Sequence, residues 1–131
     1  MTVRLAVSIG VDDPAGVRVA RRAVTDAIRC WDVRPGVADE VGLVVSELLT
    51  NAQVHGRSDA ELRLLHDDSW LRVEVADQDT RLPVLVAPDT QSLSGRGLAI
   101  VAALTNLWGI ERTSSGKLVW AEFDLSDRRH P

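Results

Sequence analysis

Glu47, Asn51 and His55 recur at steps of four along the stretch VGLVVSELLTNAQVHG. That spacing puts all three on one stripe of a helix. Val41, Val44, Val45, Leu48, Leu49 and Ala52 cover most of the remaining circumference, so the helix is read as largely buried. A carboxylate and a carboxamide in such a setting need partners, because polar groups buried without them cost free energy. One chemistry that supplies partners is a site wall. Glu47 would serve as a general base and Asn51 as an oxygen ligand for Mg²⁺, a hard ion commonly held by a few protein groups plus phosphates. A solvent-facing stripe on an amphipathic helix is the other reading open at this point.

Two further groups could take part. In Leu71-Arg72-Val73-Glu74-Val75-Ala76-Asp77 the alternation gives Leu71, Val73 and Val75 one inward face, and the same parity delivers Asp77 to it. A carboxylate closing an apolar row can accept a hydrogen bond from the exocyclic amino group of a buried ligand; equally, it can cap the following turn. Ser94-Gly95-Arg96-Gly97-Leu98 leads into a short apolar helix. Glycines there allow close backbone approach, and a helix N-terminus offers free N–H groups to phosphates, although plain turn chemistry also fits. The segment lacks the third glycine of a dinucleotide fingerprint and the Gly-Lys-Ser/Thr of a phosphate-binding loop.

The elements that must position these residues can be read along the chain. Period-two alternation predicts a strand over Thr2–Ile9, then Asp12-Asp13-Pro14 opens an amphipathic helix over 14–31. Arg18, Arg21, Arg22 and Arg29 fall mainly on its polar side, read as a solvated face. Pro35-Gly36 separates it from a second helix over 37–55, with Gly56 as C-cap. Strands are predicted over 60–66 and 70–77, a long lid-like loop over 78–94, a helix over 97–104, and a hairpin with strands 107–112 and 117–125. Residues 126–131 are expected to be a disordered tail of a single domain spanning 1–131. Strands and helices without regular βαβ alternation argue an α+β two-layer sandwich: a mixed or antiparallel sheet covered on one face by helices.

Composition removes several function classes. The 131 residues hold 15 Lys+Arg against 19 Asp+Glu, a net charge of −4. No basic cluster supports nucleic-acid binding, which needs concentrated positive charge. Cys30 is the sole cysteine, so no internal disulfide or cysteine-based zinc site can form; its place in an apolar helical pattern predicts a core thiol. His66 and His130 are too scattered to make a metal trio with His55. Nothing approaches the roughly 20 apolar residues of a membrane span, and the apolar stretch within Met1–Val11 is too short for a signal peptide, so a cytoplasmic location is expected.

Taken together, the motifs carry a resemblance. Glu47-Leu48-Leu49-Thr50-Asn51-Ala52-Gln53-Val54-His55-Gly56 resembles the N-box of the gyrase B/histidine kinase/MutL ATPase superfamily, in the form found in bacterial anti-sigma-factor serine kinases. Asp77 falls where that family's adenine-binding aspartate is expected, Gly95-Arg96-Gly97-Leu98 resembles its second glycine box, and Gly116-Lys117-Leu118-Val119-Trp120-Ala121 its closing strand. The resemblance implies the Bergerat ATP-binding fold, with ATP and Mg²⁺ between the helices and the lid. It implies Glu47 as catalytic base, Asn51 as Mg²⁺ ligand, Asp77 at the adenine, and Gly95, Arg96, Gly97 and Leu98 at the phosphates. His55 matches a family position and is expected to stabilise the helix end. The implied activity is serine phosphorylation of an anti-anti-sigma (STAS-type) partner with control of a sigma factor; dimerisation is expected only from the resemblance. The alternative is a regulatory binding module of the same fold that transfers no phosphate. The chain departs from the pattern twice: Asp77-Gln78-Asp79-Thr80-Arg81 lacks the glycines of the first box, and Leu118 is read in place of a closing-strand threonine. A sensor histidine kinase fits less well, since no helix pair with a phosphoacceptor histidine lies upstream.

Overall fold

In a computed structural model, residues 1–56, 58–78 and 93–126 are described. The lid expected over 78–94 therefore lies mostly outside the described residues, as do Asp79, Thr80, Arg81, His130 and the tail 127–131.

The strands are β1 (Thr2–Ile9), β2 (Ala60–His66), β3 (Trp70–Asp77), β4 (Leu107–Arg112) and β5 (Lys117–Asp124). They form one antiparallel sheet in the order β1-β2-β3-β5-β4. The helices are α1 (Pro14–Arg29), α2 (Val37–Asn51) and α3 (Leu93–Leu104). One sheet face is apolar and buried, through Leu62, Leu64, Leu71, Val73, Val75, Ala121 and Phe123. Ala20, Val24 and Ile28 of α1, and Val41, Val44, Val45, Leu48 and Leu49 of α2, belong to the same core. On the opposite face Arg72 lies between Glu74 (2.8 Å) and Glu122 (2.9 Å) and over the ring of Trp120. This polar ladder explains why the strands alternate, as expected for a two-layer α+β sandwich with helices on one face.

Local chemistry accounts for the helix boundaries. Asp13 caps α1 by accepting from the Gly16 N–H at 3.0 Å, with Pro14 in the first helical turn. Four differences from the sequence expectation follow. The first concerns Cys30, which is exposed at the C-cap of α1, not a core thiol. It follows buried Ile28 by two positions, which turns it roughly 200° around the helix axis, away from the core. The second is that α2 ends at Asn51 and continues as a π-turn over Ala52–Gly56, where regular helix was expected to His55. The third is that α3 starts at Leu93, so Gly95 and Gly97 lie within the helix and do not precede it. The fourth concerns Leu118 and is taken up with the site.

Candidate functional site

A single row crosses the sheet at one end. Strand register pairs Ile9 with Ala60, Ala60 with Asp77, and Asp77 with Lys117. All four side chains point to the helix-covered face and are buried, at 3, 4, 5 and 5% exposure. Asp77 thus closes the inward row of Leu71, Val73 and Val75, as its parity predicts. Its neighbour there is Lys117, whose Nζ lies 3.0 Å from Oδ2 and 3.3 Å from Oδ1. Leu118 pairs with Ala76 on the other face, so the residue beside the Asp77 carboxylate is Lys117 and not Leu118. The cause is the two-residue period of β5: Lys117 shares its parity with buried Val119, Ala121 and Phe123.

Gly116 makes this approach possible. A Cβ at that position would collide with the backbone oxygen of Asp77 and stand 2.6 Å from the Gln78 Cα. The start of β5 therefore presses against the end of β3 only because residue 116 has no side chain. The turn before it is closed by Thr113, whose N–H donates to the Gly116 carbonyl at 2.9 Å and whose Oγ1 accepts from the Gly116 N–H at 3.0 Å.

The end of α2 sits over the same edge. Gln53, in the π-turn, donates through Nε2 to the carbonyls of Gly10 (3.2 Å) and Asp13 (2.7 Å). Gly10 directly follows Ile9, the first member of the row, so these bonds anchor the π-turn to that end of the sheet. The Val11 N–H donates to Asp59 at 3.0 Å, next to Ala60 in the row. Asn51, the last residue of α2, therefore stands where regular helix changes to π-turn above the Asp77 end; Glu47 is one turn earlier. Both are half-buried, neither core nor open stripe. π-turns of this kind occur frequently at functional sites.

α3 packs beside α2, with Leu98 and Val101 buried. Its C-terminal end lies at the far side of the sheet, where the Asn106 N–H donates to the Glu122 carbonyl and Asn106 Oδ1 accepts from the Asp124 N–H. Because α3 begins at Leu93, the backbone N–H groups of its opening turn up to and including that of Gly95 lack partners within the helix, whereas those of Arg96 and Gly97 lie within its bonded turns. Leu98 serves the core. The parts expected of the His55 and Arg96 side chains lie outside the described residues. Among the described residues no group of three or more His, Cys, Asp or Glu could hold a metal ion. No described helix is long and apolar enough to cross a membrane.

Sequence reasoning missed Lys117 and Gln53 as members of this region. The parity of β5 was the available signal for Lys117, since it put a lysine in an otherwise apolar inward row. Nothing in the sequence pointed to the Gln53 contacts, which depend on where the β1–α1 turn lies.

Comparison with known proteins gives a consistent picture. A family model described as the histidine kinase-like ATPase domain matches residues 11–123. Among solved structures, the chain is similar to the RsbU and RsbW domains of Rv1364c from Mycobacterium tuberculosis, with a TM-score of 0.70 at 18% identity, covering 92% of this chain and 32% of that one. It is also similar to the histidine kinase domain of the Erythrobacter litoralis EL346 blue-light activated histidine kinase, with a TM-score of 0.55 at 24% identity, covering 86% of this chain and 60% of that one. No curated protein matches the sequence significantly.

Proposed function

Since the chain belongs to the histidine kinase-like ATPase domain family, we propose that it binds ATP with Mg²⁺ and acts as a protein serine kinase of the anti-sigma-factor type. Its substrate would be a serine on an anti-anti-sigma, STAS-type partner, and the outcome control of a sigma factor. The supporting observation is the placement of Glu47 and Asn51, half-buried and one turn apart, at the end of α2 that is anchored over the Asp77 row. In this reading Asn51 offers its carboxamide oxygen to the cation. Glu47 accepts the proton of the attacking serine hydroxyl, directly or through one water. Asp77 reads the base, and the backbone of Gly95, Arg96 and Gly97 faces the phosphates, with Leu98 packing beneath them. Bound Mg²⁺ would neutralise the charge that develops on the transferred phosphoryl group.

The second reading is a regulatory module that binds a partner without phosphate transfer. It is favoured by the Asp77–Lys117 pair, which engages both oxygens of the base-reading carboxylate.

Calorimetric titration with ATP and Mg²⁺ separates the two. Saturable binding is expected, abolished in Asn51→Ala, with Glu47→Gln keeping binding but losing phosphate transfer to a serine-bearing partner. Asp77→Asn should also lose binding. That variant removes the Asp77 charge from its buried pair with Lys117, and breaking a buried pair costs about 3–5 kcal/mol. Its melting temperature must therefore be measured beside its affinity. Partner binding indifferent to ATP, together with no saturation by millimolar nucleotide, would support the regulatory module.

A further inference from the structure

We infer that the free edge of β4 is a self-association surface: two copies of this chain pair their β4 strands antiparallel, with Ile110 of one opposite Ile110 of the other on a two-fold axis. The inference does not depend on any nucleotide reading. β4 ends the strand order β1-β2-β3-β5-β4, so among the described residues no strand pairs with its outer side. Thr113 donates its N–H to the Gly116 carbonyl at the hairpin turn, which fixes the phase of the β4–β5 ladder. Bonded and non-bonded positions alternate in antiparallel pairs. Leu107, Gly109 and Glu111 therefore bond to β5, while Trp108, Ile110 and Arg112 turn their N–H and C=O groups to the free edge. Such a row is a template for another strand, and proteins commonly blunt it with a bulge or a charge. The other end strand is blunted in both ways, because its register shifts between Val3 and Leu5 and makes Arg4 the extra residue of a bulge. β4 keeps an unbroken register, and its two charges, Glu111 and Arg112, stand at one end. Leu107 is 53% exposed, and Trp108 and Ile110 are only half-buried.

The occupant that fits this edge is the same edge of a second copy. Trp108, Ile110 and Arg112 pair with Ala121, Val119 and Lys117, all buried, and so lie on the helix-facing side of the sheet. With Ile110 against Ile110, Trp108 of each copy falls opposite Arg112 of the other. The symmetric pair thus joins two β-branched side chains at its centre and sets a guanidinium beside an indole on either flank, both favourable cross-strand partners. On the other face Gly109 falls opposite Glu111, so the position without a side chain receives the longer one. Moving one strand by two residues would set Glu111 against Glu111 in one direction, which is repulsive, and centre the pair on Gly109 in the other. Contact is confined to one strand and its flanking side chains, so the association is of the weak, concentration-dependent kind. Two five-stranded sheets become one continuous sheet, with the candidate sites at opposite rims because the strands run antiparallel.

The test begins with sedimentation of the whole chain, free of nucleotide, over a concentration series, where a reversible monomer–dimer equilibrium is expected. Ile110→Lys sets two ammonium groups opposite each other on the axis and should weaken association by about tenfold or more. Ala6→Lys, at an exposed position of β1, should leave it unchanged. Melting temperatures show whether each variant remains folded. The register is read separately in a Cys30→Ser background. Residues that form a hydrogen-bonded pair lie about 5.5 Å apart at Cα, within disulfide reach, so Ile110→Cys should oxidise to a covalent dimer. Glu111→Cys should not, since its like residue sits on the diagonal, about 7–8 Å away. A monomer at every concentration, a dimer dissolved by Ala6→Lys and kept by Ile110→Lys, or cross-linking at 111 in preference to 110 would each overturn the inference.

Discussion

His66 closes β2 with its ring stacked on that of Trp31, the centroids 4.1 Å apart and the planes 6° from parallel. Loss of hydration and then the nearby Arg4 charge lower its pKa below the usual 6.5, against an opposing pull from Asp67 and Asp68. The folded state thus favours neutral imidazole. Between the lowered pKa and 6.5 the unfolded chain binds the extra proton, so this contribution to stability is complete above pH 6.5 and is lost as pH falls through that window. Melting temperatures should fall more steeply between about pH 7.5 and 5.5 in the wild type than in His66→Gln. Parallel slopes in the two proteins would assign the pH response to other groups. A second single-atom constraint lies at Gly116, where Gly116→Ala forces a methyl group into the backbone of β3. The expected loss is at least the 1–3 kcal/mol typical of overpacking, read from the denaturant midpoint, with affinity for nucleotide falling in parallel.

Among the elements, α2 and its π-turn illustrate what a linear sequence conceals. The bounds of β1, β2 and β3 follow from alternation, because the buried face of a sheet imposes a period of two that any solvent-facing slip would break. The change from α-helix to π-turn after Asn51 leaves no such mark, since one added residue per turn hardly disturbs an apolar pattern five residues long. The start of α3 was obscured for a different reason. Gly95 and Gly97 read as breakers, yet a glycine costs a helix only about 1 kcal/mol relative to alanine, which the buried Leu98 and Val101 can offset. Parity announced Asp77 on the inner face, but the identity of its partner required the β3–β5 register, which no local signal encodes. The Gln53 bridges make a prediction at this scale. Gln53→Ala removes two bonds to the β1–α1 turn and should cost about 1–2 kcal/mol. Amide exchange should quicken in the π-turn first and leave β3 and β5 protected. Uniform acceleration would instead mean that Gln53 supports the whole fold.

For the molecule as a whole, stability resides where α1 and α2 cover the middle of the sheet. Phe123, fully buried opposite Leu71, is the largest side chain of that core. Phe123→Ala should lower the unfolding free energy by about 3–5 kcal/mol with an unchanged denaturant slope, as a cavity in a single cooperative unit requires. A lower slope would instead indicate that the hairpin unfolds separately from the rest. The site proposed above, in contrast, lies at one rim, where the row from Ile9 to Lys117 meets the end of α2.

The closing hairpin is fastened at two levels. Gly116 abuts Asp77, and four residues further along the chain Trp120 lies across Gly109, where a Cβ would stand 2.6 Å from the indole. Sliding β5 by two residues would bring a side chain under both contacts, so only one alignment of the last two strands is sterically open. The exposed tip at Ser114 and Ser115 carries no part of that alignment. It is therefore the place where the chain can be cut and rejoined: a circular permutant opened between Ser114 and Ser115, or a fluorophore grafted there, should leave the ion pair and the rim above it undisturbed.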